Sequence, residues 1–186
     1  MNAHADQSVA EGSADTGRSP DPARPIGAQV LGLGAFLGAS ALVAAVGSAV
    51  TIGNVNGWYV NADKAPWSPP SAAFGPVWTL LYVAMAVAAW LVWRQRTPQA
   101  KGALWAYCVQ LGLNMLWSPV FFGLYPVLCS LALWLAFAII LALAVALTVT
   151  VLLSGPISRW AGLLLLPYVS WVVFAASLNF WAAVHN

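Results

Sequence analysis

Charge is what this chain of 186 residues has least of. Only 6% of its residues are Asp, Glu, Lys or Arg, while 61% are hydrophobic. A soluble domain carries roughly 25% charged residues. This chain cannot cover a water-facing surface, so the reading is an integral membrane protein. The net charge of +2 comes without a basic run. That excludes a nucleic-acid footprint, and no nucleic-acid partner is expected. Cysteine is nearly absent. Cys108 and Cys129 are the only two, and neither has a second Cys or a His at ligand spacing. They read as small buried hydrophobes rather than metal ligands or a disulfide. Histidine is confined to His4 and His185.

Ionisable side chains are missing at membrane depth. Five apolar spans, at about 26–52, 74–93, 102–122, 127–153 and 160–184, contain no Asp, Glu, Lys, Arg or His. Coupled transporters and proton relays place such groups inside their spans. Their absence disfavours ion-coupled transport. It also leaves no acid–base pair, nucleophile–base pair or metal cluster in the membrane, so the enzyme question stays open with no catalytic constellation to support it. No catalytic residue, metal or cofactor is expected from the residues themselves.

What is present is apolar length. Each span reaches the roughly 20 residues that an α-helix needs to cross about 30 Å of hydrocarbon. Each is continuous, unlike the alternating ~10-residue segments of a membrane barrel. The fold class is therefore all-α integral membrane, a bundle of five transmembrane helices. Residues 1–25 differ: they are rich in Ala, Ser, Asp, Gly and Pro, hold four acids, and contain no aromatic residue. They read as a disordered cytoplasmic tail, followed by one transmembrane domain over 26–186. They lack the basic start and apolar core of a signal peptide, and their acids argue against a mitochondrial transit peptide.

Basic residues set the orientation. Arg18, Arg24, Arg94, Arg96, Lys101 and Arg159 fall at one end and Lys64 alone at the other. The positive-inside bias puts the amino terminus in the cytoplasm and the carboxyl terminus outside. Gly34 and Gly38, then Ser40, Ala44 and Ser48, and then Ala138, Ala142 and Ala146 recur at four-residue spacing. Such rows suit close helix packing, within the bundle first and in a homodimer second.

The eleven Trp are many for this length. Trp105, Trp134 and Trp160, near span ends, read as interface anchors. Others combine with neutral polar groups on single helix faces. In the third span Gln110, Asn114, Trp117 and Phe121 fall at i, i+4, i+7 and i+11. Trp78 and Tyr82 share a face in the second, and Tyr168, Trp171, Ala175 and Asn179 share one in the fifth. An amide facing lipid is costly, so these faces should point inward. Taken alone, Asn114 needs only a neighbouring helix to bond to. Pro119 removes the backbone bond to the Met115 carbonyl and should bend the third span, with Ser118 or Asn114 available to that carbonyl. The long first loop reads "GWYVNADKAPWSPPSAAFGPVW" over 57–78. Its prolines and aromatics predict a lid over the outer end of the bundle, with an interfacial loop on lipid headgroups as the alternative.

"WY" followed by "KAPWSPP", "VWTLLY", "LNMLWSPVFFG" and "PYVSWVVFAASLNF" occur in this order across the spans. This combination resembles the TspO/MBR family of tryptophan-rich sensory and translocator proteins, known in mitochondria as the peripheral benzodiazepine receptor. The resemblance covers 26–186. It implies a pocket under the first loop for porphyrins such as protoporphyrin IX and for benzodiazepine-type or isoquinoline ligands. By motif, its lining would be Trp58, Tyr59, Trp78, Tyr82, Asn114, Trp117, Trp171 and Ala175, with Phe121 on the same face of the third span. The porphyrin would be a ligand, not a cofactor. The family's cholesterol pattern is broken here: Phe180 stands where Tyr is expected and no basic residue follows. The resemblance points to a bacterial member in the plasma membrane. Three functions fit it: a tetrapyrrole receptor or sensor, a porphyrin transporter or facilitator, and light-dependent porphyrin breakdown assisted by Trp78 and Trp171.

Overall fold

The computed structural model describes residues 24–186. The expected tail lies almost wholly outside them. The long helices are α1 (Ile26–Val55), α2 (Ser71–Trp93), α3 (Ala100–Ser118), α5 (Ser130–Ser154) and α6 (Arg159–His185), with a four-residue α4 (Tyr125–Leu128) between α3 and α5. A 3-10 turn spans Trp58–Val60 and a π-turn spans Pro119–Gly123. Helix is what an apolar backbone needs, because it satisfies every interior N–H and C=O within its own segment. Four helices, α1, α2, α5 and α6, are long and apolar enough to cross a membrane. The third span was expected to match them, but α3 is not among the four. It is shorter, at 19 residues, and its two amides dilute its apolarity.

α2 packs along α1 and α6, α5 along α3 and α6, and α1 along α3. The long helices thus close a ring in the order α1, α2, α6, α5, α3, with α2 and α3 also touching across it. Met85, Leu133, Leu143, Leu147, Leu165 and Tyr168 fill its centre and are almost wholly buried. Leu31, Leu80, Val145 and Leu152 stand exposed on the outside. A water-soluble monomer does not carry an apolar exterior this large. Lipid is the solvent that removes the cost. The α5–α6 joint is tight: a Cβ on Gly162 would lie 3.1 Å from the Gly155 Cα. Ser158 caps α6 by accepting from the Ala161 amide.

Several expectations need correction. Cys108 and Cys129 are exposed free thiols, not buried. In lipid an outward apolar side chain costs nothing, so apolarity does not report burial. The fourth span is broken at Cys129, whose backbone takes φ 49° and ψ −134°, a region that residues with a side chain rarely adopt. Pro119 does not simply kink its helix. The chain widens into the π-turn, where the Leu124 amide donates to the Pro119 carbonyl. No side-chain bond from Ser118 or Asn114 to the Met115 carbonyl forms among the described residues. The small-residue rows point largely outward. A Cβ on Gly34 or Gly38 would meet nothing within 4 Å, and Ala138 and Ala142 are exposed. Ser40 is the exception: it is buried and bonds to the Tyr107 hydroxyl at 3.2 Å.

Candidate functional site

Asn114 sits on α3 and faces inward, as its spacing predicts. It is buried between two phenols. The Tyr82 hydroxyl, from α2, donates to Asn114 Oδ1 at 2.7 Å, and Asn114 Nδ2 donates to the Tyr168 hydroxyl of α6 at 2.6 Å. One amide therefore joins three helices. Trp78 lies against this group, 5.6 Å from Tyr82 and 6.1 Å from Tyr168 between ring centroids. Trp171 stands perpendicular to Trp78 at 6.5 Å, with Phe74 at 5.8 Å and Phe174 at 5.6 Å. Ala175, one turn on from Trp171, is buried. One turn before Asn114, Gln110 is fully buried, with Nε2 3.7 Å from Met85 Sδ and Oε1 unpartnered.

The remaining predicted residues form a second group, nearer the first loop. Trp117 donates its ring N–H to Asn179 Oδ1 at 3.0 Å, and Asn179 Nδ2 donates to the Leu133 carbonyl at 3.0 Å. Trp117 stacks on Phe121 at 5.2 Å. Trp58 stacks on Tyr125 at 3.7 Å and donates to the Phe122 carbonyl at 3.0 Å. Tyr59 meets Phe121 and Phe122 edge-on. Burial pushes the Tyr59 phenol above its ordinary pKa, so it stays neutral. The first loop thus crosses the end of the bundle. Its later part is tied to α6: Trp67 donates to Ser177 at 3.2 Å and packs on Trp181, and Asp63 and Asn186 exchange bonds at 2.8 and 3.2 Å.

The structure therefore brings Trp78, Tyr82, Asn114, Trp171 and Ala175 together around one centre, and Trp58, Tyr59, Trp117 and Phe121 around another. The polar groups of Asn114 and Trp117 meet protein partners. Trp171 also borders an open cleft. This cleft, of about 640 Å³, runs between α2 and α6, walled by Val77, Leu80, Leu81, Pro167, Ser170, Trp171 and Phe174, with Pro69 of the loop at its edge. No charged side chain lines it. Trp171 is the hinge of the arrangement, because it belongs to both the aromatic group and the cleft wall. Its ring N–H is buried without an acceptor. A buried unpaired donor costs about 1–3 kcal/mol. Apart from Trp171, the cleft residues on α2 and α6 went unread in the sequence. Their signal was Pro167, Ser170, Trp171 and Phe174 at i, i+3, i+4 and i+7 on one face of α6.

Trp105, Trp134 and Trp160 are exposed, 68%, 44% and 70% respectively. They stand on the outside, as interface anchors must.

Comparison with known proteins adds the lineage. Residues 36–184 match the model of the TspO/MBR family. The chain is 37% identical over 134 residues to the tryptophan-rich protein TspO of Archaeoglobus fulgidus, covering 72% of this chain and 83% of that protein. It is 38% identical over 146 residues to the tryptophan-rich sensory protein of Cereibacter sphaeroides, covering 75% and 85%. It is 34% identical over 146 residues to the human translocator protein, covering 76% and 83%. With four membrane-capable helices, an inward aromatic face on three helices and a family match over most of its length, this chain belongs to the TspO/MBR family.

Proposed function

We propose that this protein is a multi-pass membrane receptor that binds tetrapyrroles of the protoporphyrin IX class, or related flat hydrophobic molecules, at the aromatic site around Trp171. The observation that carries this reading is the open apolar cleft of about 640 Å³ between α2 and α6, with the Trp171 indole in its wall. Ligand pockets of roughly 300–1,000 Å³ are mostly apolar, with a few polar groups that fix orientation. Trp171 and Phe174 would supply ring faces, with Phe74 and Trp78 packed against Trp171. The Tyr82–Asn114–Tyr168 bridge holds α2, α3 and α6 in place behind them. The sensory and translocator names of the relatives agree with binding as the shared core of the activity.

The test is an absorption titration of the purified protein with protoporphyrin IX, in the dark and under illumination. A saturable shift of the porphyrin band supports binding; linear, non-saturable uptake like that of empty micelles sinks it. The perpendicular Trp78–Trp171 pair at 6.5 Å favours one second reading, light- and oxygen-dependent porphyrin breakdown. Loss of the band only in light would support it. Transport remains the weaker alternative, since no ionisable group lies within the spans to couple it.

In the membrane the reading is five crossings, with α3 carried across by its packing against α5 and α1 despite its two amides. Arg24, Arg94, Arg96, Lys101 and Arg159 lie at one end of the ring, and Asp63 and Lys64 at the other. By the positive-inside bias, this distribution supports an amino terminus in the cytoplasm and a carboxyl terminus outside, and a plasma membrane is the compartment proposed. A reporter that fluoresces only in the cytoplasm, fused after Asn186 through a linker, should stay dark. Fluorescence there would reverse the orientation. The outward Gly34–Gly38 row offers a close-approach surface for a homodimer.

A further inference from the structure

The basic end of the bundle carries a feature that ligand binding does not use. Arg24, just before α1, lays its guanidinium over the Trp93 ring at 3.8 Å. Arg94, at the end of α2, lays its own over Trp90 at 4.9 Å. Trp90 and Trp93 are three residues apart and therefore neighbours on one face of α2. The corner is built rather than incidental. The Trp90 ring N–H donates to the Gln29 carbonyl at 2.9 Å, and Gln29 Nε2 donates to the Arg24 carbonyl at 2.8 Å. Gly32 lets Trp93 lie against α1, because a Cβ there would come within 2.5 Å of the ring. Two cations from different helices are thus fixed on adjacent indoles.

Among the described residues these cations have no acid beside them: Asp63 is the only one, and it lies at the opposite end. Arg24 Nε is buried with no hydrogen-bond partner. An indole face offsets part of a guanidinium's charge but leaves its in-plane N–H donors free. Those donors match phosphate oxygens, which a guanidinium binds in bidentate fashion. The half-buried indoles mark this level as the membrane–water interface. The phosphates available at that level belong to lipid headgroups.

We propose that the Arg24–Trp93/Arg94–Trp90 corner is a binding site for the phosphate of an anionic phospholipid headgroup, held between the two guanidiniums where α1 meets α2. The lipid's acyl chains would lie along the exposed apolar flank of α1, and the headgroup would pin the start of α1 to the end of α2.

The test uses the full chain in detergent micelles and native mass spectrometry. Phosphatidylglycerol and phosphatidylcholine with the same acyl chains are supplied in equal amounts. The expected result is retention of phosphatidylglycerol over phosphatidylcholine by roughly fivefold or more, the ratio that one near-surface Arg contact provides. Arg24→Gln and Arg94→Gln should each bring the ratio towards unity. Arg159→Gln should leave it unchanged, since Arg159 is exposed and carries no ring contact. Matched circular dichroism and melting confirm that the variants fold. Should Arg24→Gln fail to fold, Arg94→Gln carries the comparison, because Arg94 is exposed. A wild-type ratio near unity overturns the site. So does an equal loss in Arg159→Gln, which would mean that only overall charge matters. Inorganic phosphate that displaces phosphatidylglycerol at equal concentration would reassign the corner to a soluble phosphate compound and defeat the lipid proposal.

Discussion

Asn114→Ala should lower unfolding stability by about 1–3 kcal/mol, measured by denaturant titration in a fixed detergent. The argument is one of stranded partners. Asn114 accepts from Tyr82 and donates to Tyr168, and alanine leaves both phenols facing an apolar gap. A buried polar group without a partner costs about 1–3 kcal/mol. The membrane setting tempers the sum, since interhelical bonds in lipid average about 0.6 kcal/mol by double-mutant cycles. Two bonds plus the lost volume give the range stated. Tyr82→Phe removes one bond and keeps the ring, so its effect should be smaller. A cycle combining Asn114→Ala with Tyr168→Phe should show coupling. Additive single effects would mean that the amide stabilises nothing through that phenol.

Trp171→Ala should weaken protoporphyrin IX binding by roughly 1–3 kcal/mol, about 5- to 150-fold in Kd. The indole walls the cleft and meets Phe74, Trp78 and Phe174, so truncation removes both contact area and the ring that orders its neighbours. Trp171→Phe keeps an aromatic face of smaller area, so it should retain more affinity than alanine but less than the native residue. Trp105→Ala and Trp134→Ala serve as controls, since both rings stand outside. Equal losses in the controls and in Trp171→Ala would mean that the porphyrin partitions at the protein–lipid boundary instead.

The sequence was most legible where polarity and period coincide. Asn114, Trp117 and Asn179 stand out because an amide or indole N–H in an apolar span must find a partner, and the 3.6-residue period says on which side. The rows placed them inward, and inward they are. Their partners were harder to read. Tyr168 and Tyr82 close on Asn114, and Asn179 closes on Trp117, so the polar face is largely satisfied by the protein. No one-dimensional pattern separates a polar face that lines a cavity from one that bonds to itself. Burial of apolar residues was illegible for a different reason. In water, apolarity drives a side chain inward; in lipid the outside is equally apolar, so Cys108, Cys129, Ala138 and Ala142 carry no mark of the side they face. The cleft arises from the gap between α2 and α6, a property of two helices that neither reveals alone. The break at Cys129 has no local glycine or proline to announce it; the nearest signal, Pro126, sits in α4.

The π-turn at Pro119–Gly123 fixes how many residues this part of the chain can contain. A regular α-helix turns about 100° per residue, so adjacent side chains diverge. Here Phe121 and Phe122 are both buried, 4.8 Å apart between centroids, and both meet Trp58. The widened turn is what allows two successive rings to serve one cluster. Deleting a single residue would restore ordinary winding and rotate all that follows by about 100° relative to α3. Asn179 would then swing away from Trp117, and Tyr125 from Trp58. Insertions and deletions are therefore barred from this stretch, although an uncharged turn between two spans is where a length change would ordinarily be absorbed.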